Sequence, residues 1–172
     1  MKLTQIAAFV ALSSAAAISQ AAPIWQDFSI TGLYGENYAH PVNMDDNNQQ
    51  TTATVEYTAK LKYGDFFGFA DRAHNDFENS TYFELSPRLS LSAVTGTKLE
   101  AGPIKDILIA GTWEANSSNY PGADFNNYLY GIGFDLAIPY FQYAQLNFYK
   151  ADNEKGTTDD YQMTAAYGIP VK

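Results

Sequence analysis

Residues 51–63 read Thr-Thr-Ala-Thr-Val-Glu-Tyr-Thr-Ala-Lys-Leu-Lys-Tyr and alternate without a break. Ala53, Val55, Tyr57, Ala59, Leu61 and Tyr63 form one set; Thr52, Thr54, Glu56, Thr58, Lys60 and Lys62 form the other. A period of two is that of a β-strand, so one face is apolar or aromatic and the other polar or charged. Tyrosine closing an otherwise aliphatic row fits a membrane interface, where its ring lies at headgroup depth.

Strand candidates recur along the rest of the chain, separated by Gly, Pro, Asn and Asp clusters. The first covers about 27–36, with Phe28, Ile30 and Tyr34 on one face, and the second is the stretch above. Gly64-Asp65 is a two-residue hairpin signal leading to a third strand at 66–73. A fourth, 82–94, alternates Phe83, Leu85, Leu89, Leu91 and Ala93 with Glu84, Ser86, Arg88, Ser90 and Ser92; Pro87 should mark a bulge or a missing ladder bond. Strands five to eight follow at about 104–115, 126–137, 141–150 and 160–169. Several approach the roughly 9–11 residues that a tilted strand needs to cross a bilayer. No stretch has a helical period, so the chain reads as all-β.

The N-terminal segment stands apart. Lys2, an apolar run from Ile6 to Ile18 broken only by Ser13 and Ser14, and the small-x-small triplet Ser19-Gln20-Ala21 predict a secretory signal peptide over residues 1–22. The run is shorter than the roughly 20 apolar residues of a membrane anchor. The mature chain, 23–172, is then one exported domain, able to enter a membrane only as a β-barrel. Its 13 Tyr and 11 Phe against 2 Trp suit a barrel with aromatic girdles. A net charge of -9 argues against binding a nucleic-acid polymer, which needs a basic face. The absence of cysteine removes disulfides and thiolate metal sites. Polar links after the odd strands, with tight turns at Gly64-Asp65 and around Pro139-Tyr140, predict an up-and-down antiparallel transmembrane barrel of about eight strands, its N-terminus periplasmic. The link Thr95–Pro103 is the exception to the short turns. A lipocalin-like soluble barrel, apolar set inside, has the same periodicity; aromatic content, strand length and the export signal favour the membrane form.

With the apolar sets facing lipid, Glu56, Lys60, Lys62, Glu84, Arg88, Asp106, Glu114 and Asp135 face a lumen, where mixed charges fit water-filled space better than a packed core. The third strand, Asp-Phe-Phe-Gly-Phe-Ala-Asp-Arg (65–72), places Phe67 and Phe69 with Asp71 on that side, because Asp71 towards lipid is unfavourable. Two rings beside carboxylates suit a solute with a flat ring and a hydroxylated part. The residues alone leave open that Phe66, Phe67 and Phe69 are girdle or packing residues. Catalysis finds no support: His40 and His74 are the two histidines, both in predicted loops, with no nucleophile or carboxylate arrangement. Asp45-Asp46 and Asp159-Asp160 read as solvated loop pairs rather than metal sites, and no cofactor is implied.

The run Tyr63–Arg72 (Tyr-Gly-Asp-Phe-Phe-Gly-Phe-Ala-Asp-Arg), then Tyr82–Leu91 (Tyr-Phe-Glu-Leu-Ser-Pro-Arg-Leu-Ser-Leu) and Glu100–Asp106, resembles the nucleoside-specific channel-forming outer-membrane family of Tsx- and OmpK-like porins. The likeness covers the whole mature chain. It implies a monomeric barrel in the bacterial outer membrane whose narrow channel passes nucleosides, with some members serving as phage or colicin receptors through extracellular loops. It also implies lumenal character for Phe67, Phe69, Asp71, Glu84 and Arg88, to which the alternation adds Glu56 and Lys60. The family barrel has twelve strands against about eight here, and Tyr167–Lys172 is not the terminal aromatic strand such barrels end on. The expectation is a chain incomplete at its C-terminus. Eight strands that did close would leave a bore just wide enough for side chains, which gives the alternative of a non-conducting structural or receptor barrel.

Overall fold

The computed structural model describes residues 22–37, 49–155 and 160–170. Eight strands follow in order: β1 (Trp25–Gly35), β2 (Gln50–Leu61), β3 (Gly64–Asn75), β4 (Asn79–Ser90), β5 (Ile104–Ser118), β6 (Phe125–Leu136), β7 (Tyr143–Asn153) and β8 (Asp160–Gly168). They form one antiparallel up-and-down sheet in chain order. Among the described residues β1 pairs only with β2 and β8 only with β7, so the sheet is open. The expected signal segment lies outside the described residues but for Ala22, as do His40, Asp45, Asp46 and Asp159.

All eight expected strands are present, with local corrections. The fourth stops at Ser90, and Leu91–Thr95 form a short helix, α1. Ser90 caps it, its Oγ accepting from the Ala93 N–H at 3.0 Å, and Gly96 closes it at φ 70°. Period-two alternation runs on through Leu91 and Ala93, but a serine and a glycine in cap positions override it. The tight turn is Lys62-Tyr63 rather than Gly64-Asp65, which already belong to β3. Lys62 therefore leaves the inner set and sits over the Tyr63 ring, 4.9 Å from its centroid. Gly64 is needed where it stands: its φ is +156°, and a Cβ there would collide with the Arg88 carbonyl. His74 is in β3, not a loop, its ring nitrogen 2.5 Å from the Asn79 side-chain oxygen. Because β3 runs to Asn75, residues 76–78 suffice to reach β4, whereas 91–103 separate β4 from β5. Loop length thus separates the two ends of the sheet less sharply than expected. At Pro87 the β4–β5 ladder skips Ser86 and Pro87 and resumes in the same register, a missing ladder bond and not a bulge. The register shift lies elsewhere, between Ile104 and Asp106.

Cross-strand register assigns the faces. Lys60, Asp65, Arg88, Ala110, Gly131, Tyr149 and Gln162 form one row from β2 to β8, and Tyr57, Gly68, Leu85, Trp113 and Tyr128 a row on the opposite face. The second face carries large exposed apolar side chains, among them Ile30 at 70% and Ile132 at 52%. The first face is concave. Lys60 Nζ on β2 comes within 3.9 Å of Asp135 Oδ2 on β6. Four strand spacings of a flat sheet would separate their backbones by about 19 Å, beyond the combined reach of the two side chains. The sheet therefore curls around its polar face and turns its apolar face outward, the inverse of a soluble barrel and the arrangement of a transmembrane one.

Ile132 lies at the centre of the outward row of β6, between Tyr130 and Phe134. Ile132→Arg should cost about 2–4 kcal/mol in urea unfolding from a bilayer, whereas Glu56→Lys on the inner face should cost little. Equal losses at both positions would contradict the assignment of faces.

Candidate functional site

The inner wall is organised in tiers. Nearest the Lys62-Tyr63 turn, Arg88 reaches three other strands. Its Nε and Nη2 donate to Asp65 Oδ1 and Oδ2 at 2.7 and 2.8 Å, Nη2 also donates to Asp135 Oδ1 at 2.8 Å, and Nη1 donates to Asn147 Oδ1 at 3.3 Å. Lys60 Nζ adds a 3.3 Å contact to Asp65. Two cations meet two carboxylates, so the cluster is internally neutral. The Arg88 side chain is only 4% exposed. Two-pronged guanidinium–carboxylate geometry is the kind that compensates desolvation of an ion pair.

Beside this cluster the wall is apolar. Ala110, Leu129, Tyr149 and Ala151 form a buried group, and Leu108 is fully covered. Ser86 and Thr112 close the tier through a 3.0 Å hydroxyl contact. Here Arg88 is on the inner face as expected, but packed within the wall rather than bathed in open water.

The third tier, towards the loops that follow the odd strands, is aromatic and acidic. Phe67, Phe69, Tyr82 and Phe125 make a chain of rings with successive centroids 5.9, 5.7 and 6.1 Å apart and interplanar angles of 44–58°. Carboxylates flank it. The Tyr82 hydroxyl donates to Glu84 Oε1 and lies 3.5 Å from Glu114 Oε2. Asn127 Nδ2 donates to Glu114 Oε1 at 2.9 Å, and Thr54 Oγ1 donates to Asp71 Oδ1 at 2.6 Å. Glu56 pairs across from Phe69 and is exposed. Phe67 is 39% exposed, an open ring at the foot of the chain.

The seven residues singled out from sequence all fall on this one face, in two groups. Lys60 and Arg88 join the charge cluster; Phe67, Phe69, Asp71 and Glu84 join the aromatic tier, with Glu56 beside it. Five partners are additional: Asp65, Asn147, Tyr82, Phe125 and Asn127. Tyr82 shares the parity of Glu84 and Arg88, the signal that places it inside despite being a tyrosine. Phe125 shares the parity of Asn127 and falls one residue before the expected strand start. Asn147 faces Arg88 across three strand steps, a contact no local pattern encodes. Among the described residues no group of His, Cys, Asp and Glu is arranged to hold a metal ion.

A curled up-and-down sheet with an apolar outer belt and a polar, ring-lined inner wall defines a protein of the transmembrane β-barrel class. The chain belongs to the family described as nucleoside-specific channel-forming protein, Tsx, whose model matches residues 25–172. It is 23% identical over 155 residues to the outer membrane protein OmpK of Vibrio parahaemolyticus, covering 85% of this chain and 56% of that protein. It is 25% identical over 166 residues to the nucleoside-specific channel-forming protein Tsx of Klebsiella aerogenes (85% and 54%), and 24% over 167 residues to that of Salmonella typhimurium (85% and 56%). The chain thus spans about half the length of the curated relatives it matches. No solved structure matches it. Its place is the outer membrane, in a family of channel-forming proteins rather than of enzymes.

Removing Arg88 alone strands Asp65 and Asp135 against each other. Arg88→Met should lower unfolding stability by about 3–5 kcal/mol, and Arg88→Met combined with Asp65→Leu should recover part of the loss. Urea titration followed by tryptophan fluorescence reads both; a single variant as stable as the parent would show that the cluster does not hold the curl.

Proposed function

We propose that this chain builds the wall of an outer-membrane channel through which nucleosides diffuse passively. The observation that carries the reading is the ring chain Phe67–Phe69–Tyr82–Phe125 with Asp71, Glu84, Glu114 and Asn127 at its sides. Base-on-ring stacking is tolerant of base identity and worth about 1–3 kcal/mol per base. Carboxylates and amides along the same track accept from and donate to sugar hydroxyls. A succession of rings lets a solute pass from one weak site to the next without being trapped. Membership of a channel family and the names of its relatives support the same substrate class. In this reading residues 1–22 direct export, 23–172 form the barrel domain, and the N-terminus lies in the periplasm with the links after the odd strands outside. Phe67, Phe69, Asp71, Glu84 and Glu56 line the path, while Lys60 and Arg88 close its flank. The barrel acts as a monomer embedded in outer-membrane lipid.

A second reading, a non-conducting structural barrel or a phage or colicin receptor, is favoured by the packed tier around Leu108 and Arg88, which fills part of the inner space.

Liposome swelling separates the two. Refolded protein should admit a nucleoside faster than a sugar of equal mass, and Phe69→Ala should reduce that ratio towards one while leaving the sugar rate unchanged. Equal rates for both solutes in the parent protein would end the selectivity claim, and no swelling with either would favour the receptor reading.

A further inference from the structure

The outward face is not uniformly smooth. A groove of about 280 Å³ opens on it across β2, β3 and β4, walled by Tyr57, Phe66, Phe83 and Leu85 around Gly68 and Ala70. These six all belong to outward rows of the register. Gly68 keeps the groove open: a Cβ there would lie 3.0–3.1 Å from the Phe66 ring and the Leu85 side chain. The groove exposes no polar surface.

One row further towards the loops after the odd strands stand Ala53, Arg72 and Thr81. Arg72 is exposed, and its Nη1 donates to Thr81 Oγ1 at 3.0 Å, in the register row next to that of Ala70 and Phe83. Among the described residues no carboxylate pairs with it. The row beyond, Thr51, His74 and Asn79, is polar, so Arg72 marks the level at which the apolar belt ends. An arginine fork at that depth, without a counter-charge among the described residues, matches a phosphate, which it binds in two-pronged fashion. The spacing is that of a lipid: phosphate at the boundary, acyl chain one row deeper.

We infer that this patch is a binding site for one phosphorylated glycolipid of the outer leaflet, of the lipid A type, with a phosphate on Arg72 and an acyl chain along the Gly68 groove. The choice of the outer leaflet rests on the orientation proposed above; it does not depend on which solute the inner wall passes. The groove also touches Phe69 of the ring chain, but Arg72, which would hold the phosphate, lies on the opposite face of the sheet from that chain.

Native mass spectrometry of the folded full chain in detergent tests this, with purified diphosphoryl lipid A, its dephosphorylated form and phosphatidylglycerol as probes. Diphosphoryl lipid A should bind, and the dephosphorylated form should bind about tenfold more weakly, the equivalent of losing one charge-assisted hydrogen bond. Arg72→Gln should weaken binding by a similar factor, Arg72→Lys, which keeps the charge but not the fork, should fall between Arg72→Gln and the parent, and Ala70→Phe should lower it by filling the groove. Unchanged affinity in Arg72→Gln, or equal binding of the dephosphorylated lipid, would overturn the site. Phosphatidylglycerol binding as tightly as lipid A would overturn the glycolipid assignment. Nucleoside swelling rates of Arg72→Gln should match the parent, so failure of the lipid site and failure of the channel reading give different results. Arg72→Gln decides the matter even where Ala70→Phe fails to fold, since Arg72 is exposed.

Discussion

Arg88 does something that no backbone ladder in this sheet can do: it ties together strands that are not neighbours. Hydrogen bonds between adjacent strands fix register and twist, but they leave the degree of curl free. The guanidinium bonded to Asp65, Asp135 and Asn147 converts that freedom into a fixed shape, because β3, β4, β6 and β7 must all come within one side chain's reach. Lys60 extends the tie to β2. The apolar group around Leu129 and Tyr149 then packs into the narrowed space beside it. Everything distinctive about the inner wall follows from this closure: a tight, filled flank on one side and an open, ring-lined track on the other.

The two faces obey different solvents, and each constrains the other. Outward, lipid admits aromatic and aliphatic side chains and excludes free charge, so the row of Ile109, Ile132 and Phe148 needs no polar partners. Inward, charge is abundant and much of it is hydrogen-bonded: Asp71 to Thr54, Glu114 to Asn127, Asp106 to Ser90. Were the faces exchanged, those carboxylates would lose water and partners together. The sequence can therefore place acidic residues densely on one parity while keeping the other nearly free of them.

The alternation of Ala53–Leu61 and its counterparts carries the strand number and the face of the side chains within each strand, because a period of two is enforced there by the pleat. It carries nothing about curvature. That is why all seven candidate residues share a wall, yet the partition between a buried charge cluster around Arg88 and an aromatic tier around Phe69 is visible only in three dimensions. Where alternation misleads, at Leu91–Thr95, a local rule outranks it: Ser90 and Gly96 satisfy the orphan groups of a helical turn better than a strand that has run out of neighbours. Tyr82 shows the opposite limit, since residue type suggests a girdle and parity alone reveals the inner position.

Every ladder in the sheet joins a strand to the next one in the chain, so each hairpin closes only the link between its own two strands. The Arg88 cluster is of another kind, since its members are 23, 47 and 59 residues away from it in sequence. It can form only after β3 through β7 are laid down. The ladders are thus local and the clasp is not: the guanidinium fixes a curl that no single hairpin determines.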